Sequence, residues 1–127
     1  MQMLLDTHAL LWWLAGDARL SRRARAAIGK QDNTVLVSAA SAWEIATKHR
    51  LGKFDASALV GRMGSMLASQ QFGTLDVTVD HAERAGALPG GHKDPFDRLL
   101  IAQAQAENLA VVSNESVFDA YGVAVVW

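Results

Sequence analysis

The chain has 127 residues, half of them hydrophobic, enough to bury the core of one domain, and residues 1–127 are read as a single unit. Its 12 basic and 13 acidic residues leave a formal charge of −1, so no bulk positive field announces a nucleic-acid partner and any such function must rest on a local site. With no cysteine, no basic n-region and no apolar run longer than Ala9–Ala15, disulfide, zinc–thiolate and thiol chemistry are excluded, and a cytoplasmic protein without a membrane span is expected.

The first predicted element is a short strand, Met3–Leu5, closed by Asp6. A helix is predicted over His8–Ala15, with one ring of Trp12-Trp13 expected in the core and the other facing out or meeting a partner. A second helix spans Ser21–Gly29, capped by Ser21 and stopped by Gly29. A strand at Thr34–Val37 leads into a helix over Ala40–Leu51, ended by Gly52, in which Glu44 lies beside an apolar stripe of Ala39, Trp43 and Ala46 and Trp43 is expected in the core. A helix over Ala56–Gln70, a strand at Leu75–Val79 and a helix over His81–Leu88 follow. Pro89 and Pro95 then bracket a short loop containing Gly90 and Gly91. Asp94-Pro95-Phe96-Asp97 is the clearest start signal, with Asp94 as N-cap, Pro95 at N1 and Asp97 at N3 of a helix over Pro95–Asn108. The chain closes with a strand at Leu109–Val112, a helical turn at Val117–Tyr121 and a strand at Val123–Val126. Strands alternating with helices predict an α/β fold: a single parallel-stranded central sheet flanked by helices on both faces.

This topology gathers acidic residues beyond the carboxyl ends of the strands, where open α/β sheets bind ligands. Asp6 ends the first strand, Glu44 lies on the helix after the second, Asp97 opens its helix and Glu115 follows the fourth strand. Each also has a plain structural role. Asp6 suits an N-cap, Glu44 an i,i+4 pair with Lys48, Asp97 the helix dipole beside the Asp94 cap, and Glu115 a first helical turn. Several carboxylates at one sheet edge raise one another's pKa, a cost that a divalent cation removes. With only oxygen ligands and scattered histidines, Mg²⁺ or Mn²⁺ is favoured over zinc. Thr7, Ser38 and Asn114 can orient the carboxylates or the water around the metal. His8, His49, His81 and His92 show no ligand spacing, and only His92, two residues before Asp94, is suggestive.

Three segments carry a resemblance. Leu4-Leu5-Asp6-Thr7-His8-Ala9-Leu10-Leu11-Trp12, then Val37-Ser38-Ala39-Ala40-Ser41-Ala42-Trp43-Glu44-Ile45-Ala46 with Lys48 and Leu51-Gly52-Lys53, then His92-Lys93-Asp94-Pro95-Phe96-Asp97-Arg98-Leu99-Leu100-Ile101-Ala102-Gln103-Ala104, resemble the successive motif blocks of PIN-domain proteins, and within them the VapC-type toxins of bacterial toxin–antitoxin pairs. The resemblance spans essentially the whole chain. It implies a PIN fold, an Mg²⁺- or Mn²⁺-dependent endoribonuclease, a homodimer and a cognate antitoxin as inhibitor. The family's acidic positions fall on Asp6, Glu44 and Asp97, with Asp94 as a helper. The family often continues with Thr-x-Asp where this chain has Ser113-Asn114-Glu115, so the fourth acid, Glu115, departs from the pattern.

The expected reaction is hydrolysis of an RNA phosphodiester by a water that the cation activates, on single-stranded or looped RNA. Arg98, Lys93, Lys48 and Lys53 are candidates for the RNA backbone, with solvated-surface roles beside that reading. Two other functions remain open. An aspartate-nucleophile phosphatase also sets Asp after its first strand, but its pattern resembles Asp-x-Asp-x-Thr, and His8 stands at the third place here. A catalytically silent module whose acids attract a basic peptide is the non-enzymatic alternative.

Overall fold

The computed structural model describes residues 1–127. In chain order the elements are β1 Gln2–Leu5, α1 Thr7–Ala15, α2 Arg22–Gly29, β2 Thr34–Ser38, α3 Ala39–Arg50, α4 Met63–Ser69, β3 Gly73–Leu75, α5 Val79–Ala87, α6 Pro95–Glu107, β4 Ala110–Val112, α7 Val117–Ala120 and β5 Val125–Val126. The five strands form one sheet in the order β3-β2-β1-β4-β5, with every pairing parallel. β1 sits at the centre, Met3 opposite Val35 on one side and Ala110 on the other.

Alternation along β1 splits the core in two, because successive side chains leave opposite faces of a strand. Met3 and Leu5 pack with Ala9, Leu10, Ile28 and Leu67 on the face covered by α1, α2 and α4. Leu4 and Val111 pack with Leu100, Ile101 and Phe118 on the face covered by α6 and α7. The predicted layering, helices on both faces of a parallel sheet, is therefore present. No helix is long and apolar enough to cross a membrane.

Several local expectations need correction. The third strand is Gly73–Leu75, not Leu75–Val79, because Thr78 caps α5: its hydroxyl accepts from the His81 amide while the His81 ring accepts from the Thr78 amide. The predicted helix Ala56–Gln70 is only turns before Met63, since Gly61 takes φ +89, outside the helical region. Gly29 is the last residue of α2, as expected, with Lys30 as the C-cap, and Gly52 follows α3 with φ +73. On α3 the stripe Ala39, Trp43 and Ala46 is exposed, Trp43 to 55%, and the buried face is Ala40, Ser41, Glu44 and Ile45. Trp43 is thus no core residue; its ring meets Phe96 edge-on at 4.7 Å. Trp12 and Trp13 are both half-buried: Trp12 stacks with His8 under Arg19, and Trp13 donates to the Gln70 side chain at 2.9 Å.

Candidate metal centre

Beyond the carboxyl ends of β1 and β4 lies a cavity of about 40 Å³ lined by Asp6, Thr7, His8, Glu44, Lys48, Asp94, Asp97 and Glu115, with no apolar residue among them. Its size suits an ion with water, since on the same measure one water needs roughly 10–15 Å³. Four separated stretches of sequence therefore converge as predicted, Asp6, Glu44, Asp97 and Glu115 each contributing a side chain, with Asp94 and Thr7 beside them.

Asp6 follows β1, and its amide still belongs to the sheet, donating to Val112 at 3.1 Å. One of its oxygens, Oδ1, caps α1 by accepting from the Ala9 amide at 2.7 Å. The capping role and a ligand role are compatible, because a carboxylate has a second oxygen. Burial pushes the Asp6 carboxyl above its ordinary value, against the Ser113 hydroxyl and the Ala9 amide, which lower it. Ser113, fully buried after β4, also accepts from the Glu115 amide at 3.0 Å. It joins Asp6 to the segment carrying Glu115, and sequence reasoning assigned it nothing.

Glu44 projects from the buried face of α3 and is 4% exposed. The predicted pair with Lys48 is present, the ammonium donating to Glu44 Oε2, but it lies in the cavity and not on a solvated face. Burial pulls the Lys48 ammonium down, yet the bond to Glu44 and the charges of Asp94 and Asp97 outweigh it and hold the pKa above its ordinary value. Thr7 donates to Ser41 at 3.0 Å, tying the start of α1 to the same face of α3. Ser38 caps α3 through the Ala40 amide and Asn114 is exposed; neither lines the cavity.

α6 begins as the sequence predicts. Asp94 Oδ1 accepts from the amides of Phe96 and Asp97 at 2.9 and 3.1 Å, with Pro95 at the first position. This sets the Asp97 carboxyl into the cavity, where burial, with the charge of Asp94 next, pushes it up to about 6. His92 offsets part of that, its Nε2 donating to Asp97 Oδ2 at 3.1 Å. Arg98 is committed elsewhere: its guanidinium donates to the carbonyls of Ala85, Leu88 and His92 at 2.9, 2.6 and 2.8 Å, pinning the loop that carries His92. Lys93 and Lys53 are exposed. Glu115 stands one residue before Ser116, the residue that precedes α7, so it is outside the first helical turn; its Oε1 is 3.6 Å from His8 Nδ1.

The donor set fits a hard divalent cation. It is built of carboxylate and hydroxyl oxygens, and two of its acids are held above their ordinary pKa because burial leaves their charge undercompensated. No three acidic or histidine side chains are already drawn to ligating distance of one point. Lys48, His92, Ser113 and the cap amides share the compensation instead.

Comparison with known proteins adds an independent line. The family description "PIN domain" matches residues 3–124. Ribonuclease VapC16 of Mycobacterium tuberculosis is 42% identical over 83 residues, 61% of this chain and 53% of that protein, so the match spans about half the relative's length. Ribonuclease VapC22 of the same organism is 32% identical over 114 residues, 89% of this chain and 86% of that protein. Among solved structures, VapBC2 from Rickettsia felis bound to a DNA fragment from their promoter is similar at TM-score 0.67 and 16% identity, over 98% of this chain and 97% of that one. A toxin–antitoxin complex from Klebsiella pneumoniae is similar at TM-score 0.67 and 21% identity, over 98% and 96%. At these identities the structural likeness is one of fold.

Proposed function

The chain belongs to the PIN-domain family, among its VapC-type members, and on that premise we propose that it is a divalent-cation-dependent endoribonuclease, the toxin of a toxin–antitoxin pair. The observation that carries the reading is the cavity whose carboxylates come from β1, α3, α6 and the segment after β4, and which contains no apolar side chain. Asp6, Glu44 and Asp97 would hold Mg²⁺ or Mn²⁺, with Asp94 and Glu115 at the margin. When bound, the cation supplies positive charge against a phosphodiester and makes a nearby water more acidic.

The protein's own residues supply position. The Ala9 amide holds Oδ1 of Asp6, and the Ser113 hydroxyl stands close enough to favour the charged carboxylate. Asp94 holds the first turn of α6, and thereby Asp97, in place through two amides. Arg98 anchors the backbone of His92, so that its ring stays on Asp97. Such supporting bonds matter because a small misplacement of a reacting group is costly in rate. The half-exposed His8 stands at the mouth with Glu115.

Partners follow the same reading. A groove of about 600 Å³ beside His8, lined by Leu11, Trp12, Leu14, Phe54, Leu59 and Met66, suits the apolar face of an antitoxin segment. Trp43, 55% exposed between Ala39 and Ala46 on α3, is a candidate contact for the second copy of a homodimer. RNA is the expected substrate.

The test is cleavage of a mixed-sequence single-stranded RNA by homogeneous protein. We expect cleavage with Mg²⁺ or Mn²⁺, none in chelator, recovery on adding the cation back, and none with Asp6→Asn. Cleavage that persists in chelator, or survives Asp6→Asn, would count against the proposal. A p-nitrophenyl phosphate control with the same preparation separates phosphatase activity, and binding of a basic peptide without any cleavage would favour the silent module.

A further inference from the structure

The cavity holds five carboxylates, from Asp6, Glu44, Asp94, Asp97 and Glu115, and a single permanently charged cation, the ammonium of Lys48. Lys48 stands one turn beyond Glu44 on α3 and donates to Glu44 Oε2; the Glu44 side chain is 6% exposed and that of Lys48 25%. An i,i+4 pair on a helix surface faces solvent and is screened by it. This one faces inward, and the charges of Asp94 and Asp97 reach the same ammonium. Glu44 is one of the three carboxylates assigned to the divalent cation. A divalent ion on Glu44 beside this ammonium would bring two like charges together on one carboxylate that is only 6% exposed. A lysine side chain, a compact charge on a flexible stem, can leave by rotating about its own bonds while α3 stays fixed.

We propose that Lys48 is a built-in competitor for the divalent cation: its ammonium neutralises Glu44 in the cation-free protein and must release Oε2 for the cation to bind. The inference rests on the reading of the site as a divalent-cation centre. Its consequence is reciprocal, as any coupling of two binding events must be: Lys48 weakens the hold on the cation, and the cation frees Lys48. An ion pair with a purely structural role predicts neither effect.

Two measurements on the whole chain decide this. Calorimetric titration with Mn²⁺ compares the natural protein, Lys48→Met and Lys93→Met at one ionic strength; Lys93 is exposed and supplies the same charge from outside the cavity. Lys48→Met should bind Mn²⁺ more tightly by at least roughly fivefold, the low end of ordinary coupling between sites, and Lys93→Met should bind as the natural protein does. Equal affinity for the natural protein and Lys48→Met overturns the competition while leaving the cation centre standing. An equal gain in Lys93→Met also overturns it, since the effect would then be one of net charge. No Mn²⁺ binding by either the natural protein or Lys48→Met overturns the cation centre and this inference together. The second measurement needs no folded variant: the side-chain ¹⁵N–¹H signal of the Lys48 ammonium, followed in the natural protein during a Mg²⁺ titration. Its protection should be lost in step with Mg²⁺ binding. A protected signal that persists at saturation overturns the proposal.

Discussion

Asp97→Asn keeps the shape of the side chain, keeps an oxygen to accept from His92 Nε2, and removes one negative charge from the cavity. The Asp97 carboxyl is held at about 6 against an ordinary value of 3.8, first by burial and then by the charge of Asp94. A carboxyl raised in the folded state binds more protons there than in the unfolded chain, so stability falls as pH rises through the window from about 4 to 6 and the whole penalty is present above it. At 1.36 kcal/mol per unit the shift corresponds to about 3 kcal/mol. Solvent at the cavity mouth reduces that to about 1–2 kcal/mol. Against it stands the loss of a charge at the third position of α6, where the helix dipole is worth about 0.3–1 kcal/mol. The balance favours the variant by about 1 kcal/mol, a rise of about 3–5 °C for a chain of this size. Melts in chelator at pH 7.5 should therefore place Asp97→Asn above the natural protein, and the gap should close below about pH 4. Saturating Mg²⁺ should reverse the order, because only the natural site gains from binding the cation. A variant that melts lower in chelator at pH 7.5 would refute the reasoning and leave Asp97 a dipole residue.

Asp6→Asn should likewise melt no lower than the natural protein in chelator, whereas Glu44→Gln should melt lower, by about 1–2 kcal/mol, because it removes the charge-assisted bond between Glu44 and the Lys48 ammonium. Melting curves of the pair decide it, and equal behaviour would mean that Lys48 does not depend on Glu44. Glu115→Gln should slow RNA cleavage roughly 10–100-fold, less than Asp6→Asn, since the longer side chain stands at the mouth, 3.6 Å from His8. Parallel rates test this: an unchanged rate removes Glu115 from the site, and a complete loss makes it a direct ligand. Arg98→Lys should cost about 1–3 kcal/mol in thermal unfolding, because an ammonium cannot serve the carbonyls of Ala85, Leu88 and His92 together; an unchanged melt would show that the loop holds itself.

The sheet and its layers were legible because β-branched strands alternate with periodic helices, and because Ser21 and Asp94 are caps whose amide partners are also in the structure. Alternating strands and helices placed Asp6 and Glu115 at the carboxyl ends of their strands, and the motif blocks added Glu44 and Asp97; all four line one cavity. What failed was the reading of which face turns inward. Apolar periodicity put Trp43 of α3, on its stripe with Ala39 and Ala46, in the core, but the buried face includes Ser41 and Glu44, polar residues that face the site. Val77 and Val79 extended the apparent third strand past Leu75, although Thr78 between them spends its hydroxyl on capping α5. Arg98 looked available to RNA because a sequence does not display carbonyls in reach, and Lys48 because its foreseen pair with Glu44 gave no sign of facing inward. Ser113 gave a faint signal, a hydroxyl at a strand end within the broken motif, that only its contact with Asp6 makes meaningful.

The central claim is that this cavity takes a divalent cation on Asp6, Glu44 and Asp97. Anomalous diffraction from crystals of the chain grown or soaked with Mn²⁺ tests it most directly. A peak inside the cavity, within ligating distance of those three carboxylates and absent from Asp6→Asn crystals, is the predicted result. A map with no peak there at saturating Mn²⁺, or with Mn²⁺ held only at other carboxylates, would contradict the account.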